Sequence, residues 1–361
     1  ASPEAIDQYE ETQASLFGLS TKLTNGSLVI RPKIYWKRNQ DMYVYLRHDP
    51  SVYRNLHITN KIGAELNMSS NSKLGITGFG IDLARVSLAS NNLGDRSRTM
   101  INMFLEHQFK LLKEKLDITP GLALNYLSDF KFNDNYKDNF FRNFLAFPGI
   151  DIGYRINDNL RLYTNIGYTY RVPTYTDLYY SSPTTIGNEE LIPEKALSEE
   201  LGIRYSKNKI NFSIILFNRK AKDLIDYVKA IESDPWQSTN IRELNTYGLE
   251  TNIAIKLYDK KNKFHHLNFG YTYLDDDLEP SEIQFSRYAI NSLKHHIASS
   301  INFTITKNWS SSMVYKYADR AEGNDYTVID IKNRFVIKNF DLSFMVNNIF
   351  DAQYSETNLV P

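Results

Sequence analysis

Cysteine is absent from the 361 residues, so neither a disulfide framework nor a cysteine-ligated metal site is available. An excess of one charge sign is absent too: 42 Lys+Arg balance 42 Asp+Glu to a formal net charge of +0. That balance excludes the basic footprint of a nucleic-acid-binding domain. No apolar run approaches the length of a transmembrane helix. The opening Ala1-Ser2-Pro3-Glu4 has no basic region followed by an apolar core, so any export signal lies outside these residues or has been removed. A fixed internal repeat is missing as well, which argues against propellers and solenoids. None of this excludes a membrane, because a barrel strand needs apolar residues only at alternate positions.

What is present is aromatic and alternating. There are 25 Tyr and 20 Phe, and tyrosine suits a membrane interface because its ring is apolar and its hydroxyl needs a wet partner. In 160–170, Leu160, Leu162, Thr164, Ile166, Tyr168 and Tyr170 share one face, opposite Arg161, Tyr163, Asn165, Gly167 and Thr169. Ile210, Phe212, Ile214 and Leu216 alternate in the same way, as do Phe340, Leu342, Phe344 and Val346. A period of two is a strand signature. Further strands are expected at 14–23, 26–36, 54–67, 73–86, 99–112, 116–128, 144–154, 196–205, 244–257, 264–274, 294–305, 309–317 and 326–337.

The connections between these strands are alternately short and long. Short ones fall at Asn25-Gly26, Met68–Ser72, Lys113–Lys115, Ile156–Asn159, Ser206–Lys209, Tyr258–Lys263, Thr306–Asn308 and Lys338–Asn339. Long polar stretches lie near 37–53, 87–98, 129–141, 171–195, 219–243, 275–293 and 318–326. An antiparallel meander with two such different ends matches an all-β transmembrane barrel, with tight turns on one side and long loops on the other. A soluble sandwich is the competing reading. Its strands are usually shorter, and Arg161, Asn165, Asn211, Asp341 and Asn347 would be costly in its dry core.

Two segments carry a family pattern. Residues 170–205 contain Tyr170, Arg171, Pro173, Thr174, Asp177, Leu178, Tyr179, Gly187, Asn188, Leu191, Pro193 and Glu194, then Glu200, Leu201, Gly202 and Tyr205. Pro173 ends a strand because it has no N–H for the ladder, and Gly187-Asn188 suits a tight turn. The order and spacing resemble the mid-barrel signature of TonB-dependent outer-membrane receptors. The second segment, 346–361, resembles that family's penultimate strand and last outer loop through Asn348, Ile349, Phe350, Asp351 and Tyr354.

The resemblance implies that residues 1–361 are one partial β-barrel domain, with about sixteen of about twenty-two strands. The plug domain and the closing strand are expected to lie outside it. It implies an outer-membrane location and import of a small-molecule cargo, with TonB-ExbB-ExbD acting through the plug. A surface lipoprotein is a further candidate partner, and no cofactor and no enzymatic activity are implied.

Between Tyr35 and Thr99, the runs Tyr35–Tyr43, Asn55–Thr59, Gly75–Asp82 and Ser90–Gly94 resemble the Bacteroidetes vitamin B12 (cobalamin) receptor branch. An iron siderophore or haem is the alternative cargo. Tyr175, Tyr179, Tyr180 and Trp236 fall on expected outer loops, where their rings suit a flat ligand or an interfacial girdle equally. Trp309, beside a short turn, belongs to the opposite girdle.

Asp275 and Asp277, in an expected outer loop, are weak Ca²⁺ candidates without a glycine-bearing loop motif. His265-His266 and His295-His296 are adjacent pairs on strands, so each pair splits across two faces and does not chelate one ion. There is no Gly-x-Ser-x-Gly elbow. Outer-membrane barrel enzymes have far fewer strands, and a diffusive porin would be smaller and would lack the 170–205 signature.

Overall fold

The computed structural model describes residues 7–131, 139–258, 264–278, 285–287, 293–320 and 325–354. It is all-β, with one short helix among the described residues. The strands are β1 Tyr9–Ser20, β2 Leu23–Asn25, β3 Leu28–Val44, β4 Arg54–Ser72, β5 Gly75–Ser90, β6 Arg96–Leu111, β7 Leu116–Lys131, β8 Asn139–Arg155 and β9 Leu160–Arg171. The helix α1, Tyr175–Tyr179, follows. After it come β10 Ser181–Ser182, β11 Thr185–Ile186, β12 Glu194–Lys207, β13 Ile210–Lys229, β14 Trp236–Tyr258, β15 Phe264–Leu278 and β16 Phe285–Ser286. The last four are β17 Leu293–Thr306, β18 Trp309–Arg320, β19 Tyr326–Ile337 and β20 Phe340–Val346. Sixteen of these strands are long, each overlapping one expected from the alternation.

The long connections are mostly shorter than expected. β3 continues to Val44, β5 to Ser90 and β13 to Lys229, while β6 begins at Arg96 and β14 at Trp236. Hydrophobic alternation stops where a strand leaves the apolar layer, but antiparallel pairing continues in water on polar residues. The sequence pattern therefore marks the apolar stretch and not the end of the ladder. The turn expected at Met68–Ser72 also shifts, because β4 runs to Ser72 and β5 starts at Gly75. Among the two-residue turns, Gly26 (φ 58°), Asn208 (φ 49°) and Lys338 (φ 53°) are left-handed, as tight hairpins require. Parts of the 129–141, 258–263, 275–293 and 318–326 connections, and residues 355–361, lie outside the described residues.

Two units organise the chain. In the unit holding residues 7–151, 167–192 and 235–238, β1, β3, β4, β5, β6 and β7 pair antiparallel in succession. Directly paired residues share a face. One face carries the row Leu19–Ile34–Ala64–Leu83–Ile101–Tyr126, running across six strands. Beside it run Pro32–Leu66–Ile81–Met103–Leu124 and Ile30–Met68–Phe79–Leu105–Leu122. Leu19 is 63% exposed, Ile34 51% and Leu105 56%. So continuous an exposed apolar surface is costly in water and suits lipid.

The opposite face is polar, with the row Lys33–Glu65–Asp82–Asn102–Asn125. Lys33 pairs with Glu65 at 3.3 Å, the Tyr35 hydroxyl donates to Asp82 (3.0 Å) and Asn102 Nδ2 donates to the same carboxylate (3.3 Å). The Tyr35 ring lies over Gly63, where any Cβ would meet it.

In the second unit, β12 pairs with β13, β14 with β15, β15 with β17, β17 with β18, β18 with β19 and β19 with β20. Its exposed apolar side chains again alternate with polar ones: Leu201, Ile203, Ile210 and Leu216 are exposed, opposite Glu200, Arg204, Asn211 and Ser213.

Leu83→Arg puts a charge on the apolar face. It should destabilise the folded receptor in lipid by about 2–4 kcal/mol, read as a lower urea midpoint for refolding into vesicles. An unchanged midpoint would contradict the assignment of that face to lipid.

Candidate functional site

The segment between β9 and β12, residues 172–193, is the longest connection that is described throughout. Its fold follows from the local sequence. Arg171 is the last residue of β9, and Pro173, without an N–H, follows beyond the ladder. Thr174 is the N-cap of α1: its hydroxyl accepts from Asp177 N (3.1 Å), and the Asp177 carboxylate accepts from Thr174 N (2.9 Å). This reciprocal capping box satisfies two otherwise orphaned donors. Arg171 Nη1 lies 3.3 Å from the same carboxylate.

Gly187 has a different role from the turn residue expected. Its φ is not in the left-handed region, unlike Gly26, Gly75 and Gly94. A Cβ there would come within 2.8 Å of the main chain of Leu178 and Tyr179. Glycine therefore permits close backbone approach. Gly187 N donates to Tyr180 O (2.6 Å) and Asn188 N to Asp177 O (2.9 Å), closing the segment onto α1. Leu178 and Leu191 are buried, and Pro173 is fully buried.

The segment is fastened to the polar face of β6 and β7. Arg98 Nε and Nη2 each donate to Asp129 at 2.7 Å, and Nη1 and Nη2 also reach the Pro173 carbonyl at 3.2 and 3.1 Å. The Arg98 side chain is 12% exposed and that of Asp129 4%. Arg96 sits over the Tyr179 ring, 3.2 Å from its centroid, while its Nε donates to Leu93 O. Arg98 lies 4.9 Å from the Tyr175 centroid. Ala84, Leu88 and Leu127, on the same face as Arg98, are buried.

The four aromatic candidates thus have distinct positions. Tyr175 and Tyr179 are half-buried and engaged by Arg98 and Arg96. Burial, reinforced by Asp129, pushes the Tyr175 hydroxyl well above the ordinary tyrosine range, and burial raises that of Tyr179 against the opposing Arg96 charge. Tyr180 joins a second group: its hydroxyl is 3.1 Å from that of Tyr53, which accepts from Asn55 Nδ2 (3.1 Å) and packs edge-on to Tyr43 (6.3 Å). Burial and the bond to Tyr180 raise the Tyr53 hydroxyl. Trp236 opens β14, where it pairs with Thr185 of β11, and its backbone N–H donates to Thr184 O.

The remaining motif residues are structural fasteners. Pro193 is buried, and Glu194 at the start of β12 accepts from Ile225 N (2.7 Å). There β13 leaves its ladder with β12, which ends at Lys222, and Asp223 has φ 55°. Asn348 (φ 49°) uses its amide to bond both N and O of Ala352, and Asp351 N donates to Asn348 O. Tyr354 stacks on Tyr326 at 4.3 Å, while Phe350 is exposed.

Asp275 and Asp277 need correction. Both lie on β15 and not in a loop, paired with Tyr247 and Asn245. Asp276 between them points the other way and accepts from Thr246. Strand pairing continues through these acidic residues because they stand beyond the apolar stretch. Among the described residues no group of three His, Asp or Glu could hold a metal ion.

Sequence reasoning missed Tyr53, Arg96, Arg98 and Asp129, and held Tyr43 and Asn55 only as members of the runs that resemble cobalamin receptors. The signal was Arg96-Ser97-Arg98: two arginines two residues apart share a face only if the segment is a strand, and 87–98 reads as a loop by its polarity.

Against known families, residues 7–349 match the model described as TonB dependent receptor-like, beta-barrel. The chain belongs to that family. It is therefore an outer-membrane receptor barrel. The vitamin B12 transporter BtuB of Photobacterium profundum is 25% identical over 213 residues, covering 56% of this chain and 33% of the relative. BtuB of Vibrio vulnificus is 21% identical over 211 residues, 57% of this chain and 32% of the relative. The chain thus spans about a third of the length of these curated relatives. Among solved structures, the copper transporter OprC has a TM-score of 0.78 at 16% identity, over 97% of this chain and 62% of that one. A double mutant of the Serratia marcescens hemophore receptor HasR, solved with its hemophore HasA and heme, has 0.76 at 14%, over 96% and 64%. At such identities the structures establish the barrel fold alone.

In this receptor barrel, Arg98→Ala strands Asp129 in a nearly dry site, at a cost of about 3–5 kcal/mol. Proteolysis within 172–192 and a lowered urea midpoint should report it. Arg98→Ala/Asp129→Ala should recover part of the loss, and equal loss in both variants would rule out a coupled pair.

Because the Tyr175 pKa is raised on folding, its contribution is intact below the ordinary value near 10 and declines as pH rises above it. Protease sensitivity of 172–192 should appear at alkaline pH while Tyr175→Phe stays protected; the same onset in both would remove Tyr175 from that transition.

Proposed function

We propose that the whole receptor imports a scarce nutrient across the outer membrane in a TonB-dependent manner, and that the nutrient is cobalamin. The observation that carries the cargo is that both curated relatives described above are vitamin B12 transporters, matched over more than half of this chain. The resemblance of the Tyr35–Thr99 region to cobalamin receptors supports the same reading. The alternative is an iron siderophore or haem, supported by structural neighbours that include the siderophore receptor PirA from Acinetobacter baumannii and the ferric yersiniabactin receptor FyuA from Yersinia pestis.

In this reading the outer ends of the strands capture cargo, and a plug contributed by sequence beyond these residues completes the site. TonB-ExbB-ExbD supplies the work through that plug, and a surface lipoprotein is a further partner. Tyr43, Tyr53, Tyr180 and Trp236 are the proposed cargo contacts, with rings for a flat apolar surface and hydroxyls for its polar edge. Tyr175 and Tyr179, already engaged by arginines, position the segment. No residue in this reading performs covalent chemistry, which separates it from a barrel enzyme.

Deleting the gene should abolish high-affinity uptake of cyanocobalamin, and collapsing the proton gradient in wild-type cells should stop it. Normal cyanocobalamin uptake by the deletion strain would overturn the cargo. Flux that persists without the gradient would indicate a diffusive porin.

A further inference from the structure

The second unit has a concavity on its polar face of about 440 Å³, at the end of the sheet where β12 turns tightly into β13. Its floor is made of small residues brought together by register. Arg204 pairs with Ser213, Asn252 with Gly270, and Gly270 with Ala298. In the adjacent row Ser206 pairs with Asn211, and Ala254 with Asn268. Large side chains at Gly270, Ala254 or Ala298 would fill this space; their absence leaves a trough across β12, β13, β14, β15 and β17.

The polar groups in the trough form a complementary set. Asn211 accepts from Ser206 Oγ (2.6 Å) through its amide oxygen, leaving its NH₂ as a donor. Asn268 donates its NH₂ to Ser300 Oγ (3.2 Å), leaving its oxygen as an acceptor. The Asn252 side chain has no hydrogen-bond partner among the described residues and lines the same space. Arg204 stands at one end, 5.6 Å from the Tyr163 ring centroid. Among the described residues no carboxylate lines the trough. Free donors and acceptors of amide type, with one cation and no anion, match a neutral solute bearing amide or hydroxyl groups, its carbonyl oxygen toward Arg204.

We propose that this trough is a transit subsite for neutral, amide- or hydroxyl-bearing solutes on the inward face of the barrel. As a step in import it rests on the uptake reading above; as a binding site it stands on its own geometry. Its lining shares no residue with the tyrosine group assigned to initial capture.

The 361 residues contain no cysteine, so Asn252→Cys places one thiol in the trough. In the full-length receptor in detergent, a small methanethiosulfonate reagent should modify it. Saturating N,N′-diacetylchitobiose should slow that reaction by about tenfold. Adding Asn211→Leu and Asn268→Leu should abolish protection while the thiol keeps its unprotected rate; should that variant not fold, Arg204→Gln serves in its place and should weaken protection.

A reaction unaffected by diacetylchitobiose overturns the subsite. So does a thiol that never reacts in the folded receptor, because the trough would then be filled by protein. Cyanocobalamin binding to the intact receptor is measured separately. Its failure alongside chitobiose protection would sink the cargo and leave the subsite, and the reverse pattern would do the opposite.

Discussion

In hydrocarbon no water is available to a backbone N–H or C=O, so each strand must give all its polar groups to its neighbours. Everything else in this chain is arranged around that constraint. Antiparallel pairing meets it, and pairing fixes a period of two, which divides every strand into a lipid face and a polar face. Rows such as Leu19–Ile34–Ala64–Leu83–Ile101–Tyr126 and Lys33–Glu65–Asp82–Asn102–Asn125 are the lateral expression of that division. A slip of one residue would exchange the two rows and place charge in lipid.

The polar face then becomes a surface on which other chain can fold. The segment between β9 and β12 uses it, and Arg98 is the fastener, spending its donors on the Asp129 carboxylate and the Pro173 carbonyl together. Such a pair, nearly removed from water, is strong only while both partners are present. The capping box of Thr174 and Asp177, the glycine contact at Gly187 and the arginine over Tyr179 all act on the same few residues of α1. Most signature residues therefore hold a shape, while neighbours such as Tyr53 and Tyr180 are the groups proposed above for cargo.

This division explains what could be read early. Alternation located the sixteen long strands because each must show lipid an apolar face. The Pro, Thr and Asp of 173–177 announced a strand end and a helix start through their own backbone chemistry. Gly187 was legible as special but not for the right reason: a glycine needed for close approach looks the same in sequence as one needed for a turn. Asp275 and Asp277 looked like loop residues because polarity marks the end of the lipid layer, and β15 continues past it.

By itself the sequence determined the strand set, the two faces and the family, since these depend on local periodicity and on ordered motifs. Only the tertiary structure decided that Arg98 meets Pro173, 75 positions away, that Tyr53 meets Tyr180, 127 positions away, and that Arg204, Asn211, Asn252 and Asn268 line one trough. Those meetings depend on register and on how a loop folds back. Register is a relation between strands, and no single strand carries it in its own composition.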